Sequence, residues 1–238
     1  MVFKAMLAGL RPGRKSVPAD PVVNSECREI EVDNWVLSSF VCDRLVRVVG
    51  VHPFPLNELK LMAAAICRLK PTHIFDWGTH FGKSARVFHE TARAFAIETE
   101  IHSIDLPDNV GHHEHPGQNR GCMVMGLPNM YLHLGDGLET ALRICAQFPM
   151  ASTLPLFFVD GDHAYDSVRR ELLGIIKHVP QASILVHDTF NQSAESGYNV
   201  GPYAAIRDVL QQCPDVFKVY AQNLSLPGMT LLWRQRSP

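Results

Sequence analysis

Residues 155–189, PLFFVDGDHAYDSVRRELLGIIKHVPQASILVHDT, decide the fold. Pro155–Asp160 is apolar up to its final acid, Asp166–His178 carries apolar side chains at helical spacing, and Ser183–Asp188 repeats the first pattern. A short apolar run, an amphipathic helix and a second apolar run read as a strand, a crossover and a parallel strand buried on both faces. Both strands end in polar groups, Asp160-Gly-Asp162-His163 and His187-Asp188. In a parallel sheet such ends share one edge, so Asp160, Asp162, His187 and Asp188 are expected to converge there. Oxygen and imidazole donors suit Mg²⁺, Mn²⁺ or Fe²⁺ better than a soft-ligand metal. The same acids can instead cap the helices that follow them.

The rhythm extends outward in both directions. Upstream, His73–Trp77, a helix from Ser84 to about Phe95, Ile101–Asp105, Met130–Leu134 and a helix from Leu138 alternate in the same way. Strands alternating with helices imply right-handed crossovers and a mostly parallel, doubly wound α/β sheet. Downstream, Tyr203–Gln212 reads as a helix. Val216–Tyr220 and Met229–Trp233 read as strands joined by a turn containing Pro227-Gly228, an antiparallel edge hairpin. Before Pro71, two helical stretches, Asp33–Val49 and one with Leu59, Met62, Ala63, Ile66 and Leu69 on one face, form an N-terminal cap over 33–70. The organisation expected is a flexible leader, 1–32, and one domain, 33–238.

Composition narrows the function. The 238 residues are 46% hydrophobic and carry a formal charge of -2 without a long basic run, which argues against a nucleic-acid partner. The apolar start Met1–Leu10 is too short to span a membrane. The six cysteines contain no Cys-x-x-Cys pair and are expected to be buried, reduced thiols of a cytoplasmic protein. Twelve histidines are the one unusual count.

The run His73-Ile-Phe-Asp76-Trp-Gly78-Thr79-His-Phe-Gly82-Lys-Ser84 takes a strand through two glycines into a helix. Glycine permits a tight turn and close approach of the backbone to a ligand, and the helix start adds free N–H donors. It lacks the spacing of a dinucleotide fingerprint and of a P-loop, and the glycines can equally serve the backbone alone. Asp105 ends the next strand about 23 residues later, where an acid can bind a ribose diol or simply sit in a turn. Gly135-Asp136-Gly137 makes a further glycine-rich turn. The strand ends between Asp76 and Asp188 thus suit a small nucleoside-type cofactor. The loop after Asp105, with His112, His113, Glu114 and His115 before Pro116 and Gly117, reads as a solvated lid over 111–121 or as a metal site.

Together these residues resemble class I S-adenosylmethionine-dependent O-methyltransferases, nearest to the cephalosporin-hydroxylase-like and macrolide or aminocoumarin sugar O-methyltransferase branch. The likeness runs from about Pro71 to the C-terminus and implies a Rossmann-like fold. It implies that Asp76, Gly78, Thr79, Gly82 and Ser84 hold the methionine part of S-adenosylmethionine. Asp105 would hold its ribose, Asp136 and Gly137 would lie beside the adenine, and Asp160 would lie at the cofactor as well. Asp160 and Asp188 would bind a divalent ion, Mg²⁺ by the donor set, with His187 a third ligand or an orienting group. Asp162 is the expected base and His163 the runner-up. The chain departs from the family pattern at Asp76, where Glu is common, and at His187-Asp188, where some relatives have Asp-Asp or Asp-Asn. The activity implied is methylation of a hydroxyl on a sugar, phenol or natural product, with a homo-oligomer contact left open. A non-catalytic cofactor-binding or partner subunit and a metal-assisted hydrolase are the alternatives, though a hydrolase leaves Gly78–Gly82 and Asp105 unexplained.

Overall fold

A computed structural model describes residues 20–110, 117–149, 152–196 and 199–234. The leader expected over 1–32 lies outside them up to residue 19, and so do His112, His113, Glu114 and His115 of the expected lid.

Seven strands form one sheet: β1 His73–Trp77, β2 Glu100–Asp105, β3 Met130–Leu134, β4 Pro155–Val159, β5 Ser183–His187, β6 Phe217–Gln222 and β7 Met229–Arg234. Their order is β3-β2-β1-β4-β5-β7-β6. The pairs among β1 to β5 are parallel, while β7 runs antiparallel to both of its neighbours. The C-terminal hairpin expected from Pro227-Gly228 is present. Its second strand is the one that joins the sheet, leaving β6 as the edge.

Residues alternate between two cores, as the period of a strand requires. On β4, Leu156 and Phe158 face one side, Phe157 and Val159 the other. The first core is covered by α1 (Asn34–Phe40), α2 (Val46–Val49), α3 (Leu56–Leu69) and α4 (Lys83–Ala94). The second is covered by α5 (Gly137–Cys145), α6 (Tyr165–His178) and α7 (Gly201–Gln212). The helical stretch from Asp33 forms as read. The Asp33 carboxylate caps it by accepting from the Trp35 and Val36 N–H groups, and a π-helical turn at Val41–Leu45 separates α1 from α2.

The order places β1 between β2, where the chain winds one way, and β4, where it winds the other. The crevice at such a reversal is where open α/β sheets bind ligands. The cysteine reading needs correction. Cys67 and Cys145 are buried, but Cys42 and Cys122 are exposed, because each falls on the outward side of its segment. Among the described residues, no helix is long and apolar enough to cross a membrane.

Candidate active site

Two polar groups flank the reversal at the carboxyl ends of the strands. The first lies over β1 and β2. Asp76 is fully buried, and its Oδ2 accepts from Ser103 Oγ at 2.7 Å. Ser103 Oγ also lies 2.9 Å from Thr79 Oγ1. The Asp76 Oδ1 is buried without a hydrogen-bond partner. Burial pushes this carboxyl up to about 7, against the pull of the Ser103 and Ser84 hydroxyls. A buried acid with an open oxygen beside two hydroxyls suits a cationic or hydrogen-bonding ligand group.

Asp105 closes the other end of this cradle. Its Oδ1 accepts from the Leu106 N–H, while Oδ2 accepts from the His80 N–H and pairs with Arg120 Nε at 3.1 Å. Arg120 lies within the segment read as a lid, 111–121, so the end of that segment reaches Asp105.

The glycines act mainly on the chain itself. Gly78 has φ +86°, and a Cβ there would stand 2.4 Å from the Asp160 carbonyl oxygen. This glycine is what lets the β1–α4 turn press against the end of β4. Gly82 has φ +87°, starts α4, and would drive a Cβ to within 2.8 Å of Val124. Gly78→Ala should therefore destabilise the fold by about 1–3 kcal/mol through overpacking and positive φ, measurable by denaturant unfolding. Wild-type stability would mean that the turn has room to move.

The second group lies over β4 and β5. His187 is buried, with Nδ1 2.9 Å from Asp160 Oδ1 and Nε2 3.1 Å from Glu58 Oε2. Phe54 meets its ring edge-on at 4.9 Å. Burial opposes charge on His187, yet Asp160 and Glu58 outweigh it and hold its pKa well above the usual imidazole range. Burial likewise opposes ionisation of Asp160, but His187 and then His163 keep its carboxyl well below the ordinary value. His163 Nε2 lies 3.1 Å from Asp188 Oδ2 and 3.5 Å from Asp160 Oδ1, with its side chain 29% exposed at the mouth. Asp188 is buried and in a left-handed conformation (φ 56°). Its Oδ2 accepts from Asn199 at 2.6 Å, and its Oδ1 is buried without a partner.

Of the expected residues, Asp160, His163, His187 and Asp188 come together, and Asp76, Thr79, Ser84 and Asp105 form the adjoining cradle. Asp162 and Asp136 are placed otherwise. Asp162 is exposed, and its oxygens accept from the Ala164 N–H and the Ser167 hydroxyl at the start of α6. Asp136 caps α5 through the Glu139 N–H and pairs with Arg170, while Gly137 presses against the Trp77 ring. Helix capping engages the Asp136 carboxylate, and a local turn ahead of α6 engages that of Asp162. His187 has both ring nitrogens engaged by Asp160 and Glu58, and one of its ligand atoms lies within 4.8 Å of one each from Asp160 and Asp188.

Glu58 was missed. It belongs to α3, is 1% exposed, and also accepts the Gly228 N–H at 2.8 Å. The available signal was an acid set in an otherwise apolar helical stretch. Ser103, inside an apolar strand, was missed in the same way. A cavity of about 760 Å³ opens at the opposite end of the sheet, by Pro71, Pro155, Ser183 and Arg234, and contains none of these groups.

Residues 75–189, the span from β1 through the end of β5, match the family model described as a methyltransferase domain. Just under half of the chain is thus similar to methyltransferase domains. Over 147 residues it is 29% identical to the uncharacterized protein y4gI of Sinorhizobium fredii, covering 60% of this chain and 16% of that protein. The chain therefore spans about one sixth of the length of that curated relative. Among solved structures, the domain is similar to the SAH-bound methyltransferase PaMTH1 of Podospora anserina (TM-score 0.52, 14% identity, 84% of this chain and 86% of that one). It is similar also to the O-methyltransferase TomG of Streptomyces achromogenes, solved with SAM (TM-score 0.52, 16% identity, 81% and 89%). A third is the O-methyltransferase NovP (TM-score 0.53, 12% identity, 84% and 100%). These likenesses are of fold, a Rossmann-like one.

Proposed function

We propose that the protein transfers the methyl group of S-adenosylmethionine to a hydroxyl oxygen of a small molecule. One observation carries the reading: the Gly78 turn, which ends the cofactor cradle, packs directly on the Asp160 backbone, which begins the acid and histidine cluster. The two groups are thus neighbours across one crevice, as direct transfer between two bound molecules requires.

The cradle fits the cofactor. Asp76 offers a buried open oxygen for its amino-acid end, and Asp105 lies at the end of β2 where a ribose would be held. The cluster fits a divalent ion, since Asp160 and Asp188 offer hard oxygen donors and Asp188 Oδ1 has no other partner. Such an ion would acidify the acceptor hydroxyl. His187 and Glu58 hold Asp160 in place. His163, whose side chain is part exposed at the mouth, accepts the hydroxyl proton. The acceptor oxygen forms the new bond to the methyl carbon, and the sulfur keeps the electron pair of the bond that breaks. The acceptor class proposed is a sugar, phenol or natural-product hydroxyl.

Titration calorimetry tests the cofactor half. S-adenosylmethionine and its demethylated product should both bind at micromolar strength, and Asp105→Ala should weaken both by about 1–3 kcal/mol. Absence of both heat and a thermal shift with wild-type protein would overturn the reading. Mg²⁺ titration tests the other half. Asp188→Asn should weaken Mg²⁺ binding while leaving cofactor binding intact.

A further inference from the structure

The histidine count is only partly absorbed by the active site. Three more histidines gather on the adjacent strands β1, β2 and β3. His73 opens β1 and pairs in register with Glu100, the first residue of β2. His102 stands two residues further along β2, on the same face as Glu100. His133 comes from β3, beyond His102.

We infer that His73, His102 and Glu100 form a second metal site, for a divalent transition ion of the zinc type. His73 Nε2 lies 3.7 Å and His102 Nε2 3.6 Å from Glu100 Oε2, and one ligand atom from each residue falls within 4.8 Å of the others. Ligands about 2.0–2.1 Å from a tetrahedral ion stand roughly 3.3 Å apart, so each histidine needs to approach Glu100 by only a few tenths of an ångström.

The two imidazoles are oriented for this. His73 Nδ1 contacts Thr72 Oγ1 at 3.0 Å, and His102 Nδ1 contacts His133 Nε2 at 3.1 Å. Assigning Nδ1–H as the donor in both contacts leaves each Nε2 lone pair facing Glu100, the arrangement of metal-bound histidines whose other ring nitrogen is tied to a neighbour. His102 is 5% exposed, and its Nε2 is buried without a hydrogen-bond partner. Tilted packing of His73 against Phe148 at 4.0 Å and stacking of His102 on Tyr131 at 5.0 Å hold the rings in place. It does not by itself call for two nitrogens aimed at one carboxylate.

Burial lowers the pKa of both rings, that of His102 to about 4 with help from His133 and His73, so both are neutral as ligation requires. Glu100 keeps its side chain 42% exposed, which leaves an open side for water as a further ligand. The site stands roughly 13 Å along β1 from the active-site end. It would clip β1 to β2 and, through His133, to the edge strand β3.

Zn²⁺ titration of metal-free protein tests this, with excess Mg²⁺ present to occupy Asp160 and Asp188. One equivalent should bind and raise Tm. It should still bind when Asp188 is changed to Asn, and when His112, His113 and His115 are all changed to Gln. His102→Gln should abolish binding, and His133→Gln should weaken it about 10–100-fold. Glu100→Gln, a change at a half-exposed position that leaves the fold intact, should weaken it at least tenfold. No zinc uptake by wild-type protein, or unchanged uptake by Glu100→Gln, would overturn the proposal.

Discussion

His163→Gln should slow methyl transfer by about 10²–10⁴-fold while leaving cofactor affinity where it is. The imidazole stands between the Asp160 and Asp188 carboxylates and reaches the mouth of the crevice. The cofactor cradle is built from other strand ends, around Asp76, Ser103 and Asp105. Release of S-adenosylhomocysteine, followed over a panel of sugar, phenol and natural-product hydroxyls, measures the effect. Asp162→Asn is the matched control. Its oxygens accept from the Ala164 N–H and the Ser167 hydroxyl rather than from groups of the cluster, so turnover should stay close to wild type. Wild-type turnover in the His163 variant, with a large loss in the Asp162 variant, would exchange their roles.

Glu58→Ala should cost about 3–5 kcal/mol of folding stability, the usual result of removing one partner from a buried ion pair. The Glu58 carboxylate faces the His187 imidazolium on one oxygen and accepts the Gly228 N–H on the other. Its loss leaves the ring held by Asp160, its Nε2 unpaired, and strands the Gly228 N–H in the core. Glu58→Gln should be milder, because the amide oxygen can still accept from Gly228. Urea unfolding of the three proteins decides it. A loss below about 1 kcal/mol for the alanine variant would show that His187 is neutral in the fold.

The alternation of strands and helices was legible because each strand is short, apolar and stopped by a polar residue. His73–Trp77 and Met130–Leu134 fall within the residues read for them. The convergence of Asp160, His187 and Asp188 followed from parallel strands sharing one edge. Two kinds of information were not legible. An acid after a strand looks the same whether it turns into the crevice, as Asp160 does, or back onto its own helix, as Asp162 and Asp136 do. The choice depends on which N–H groups the next turn leaves open. The other kind is contact across long sequence separation. Glu58 meets His187 over 129 residues, and no local pattern records such a pairing. The glycines at 78 and 82 were read toward a ligand, whereas their immediate neighbours are Asp160 and Val124.

The position of β7 has a consequence for synthesis. This strand is made after every other strand of the sheet, yet it lies inside it, bonded to β5 on one side and β6 on the other. Until residues 229–234 leave the ribosome, β5 presents an open apolar edge and β6 has no neighbour in the sheet. A nascent chain in that state has the exposed strand edge that favours aggregation. Folding of the active-site half must then wait for residues 229–234, when β7 closes the gap and brings Gly228 onto Glu58.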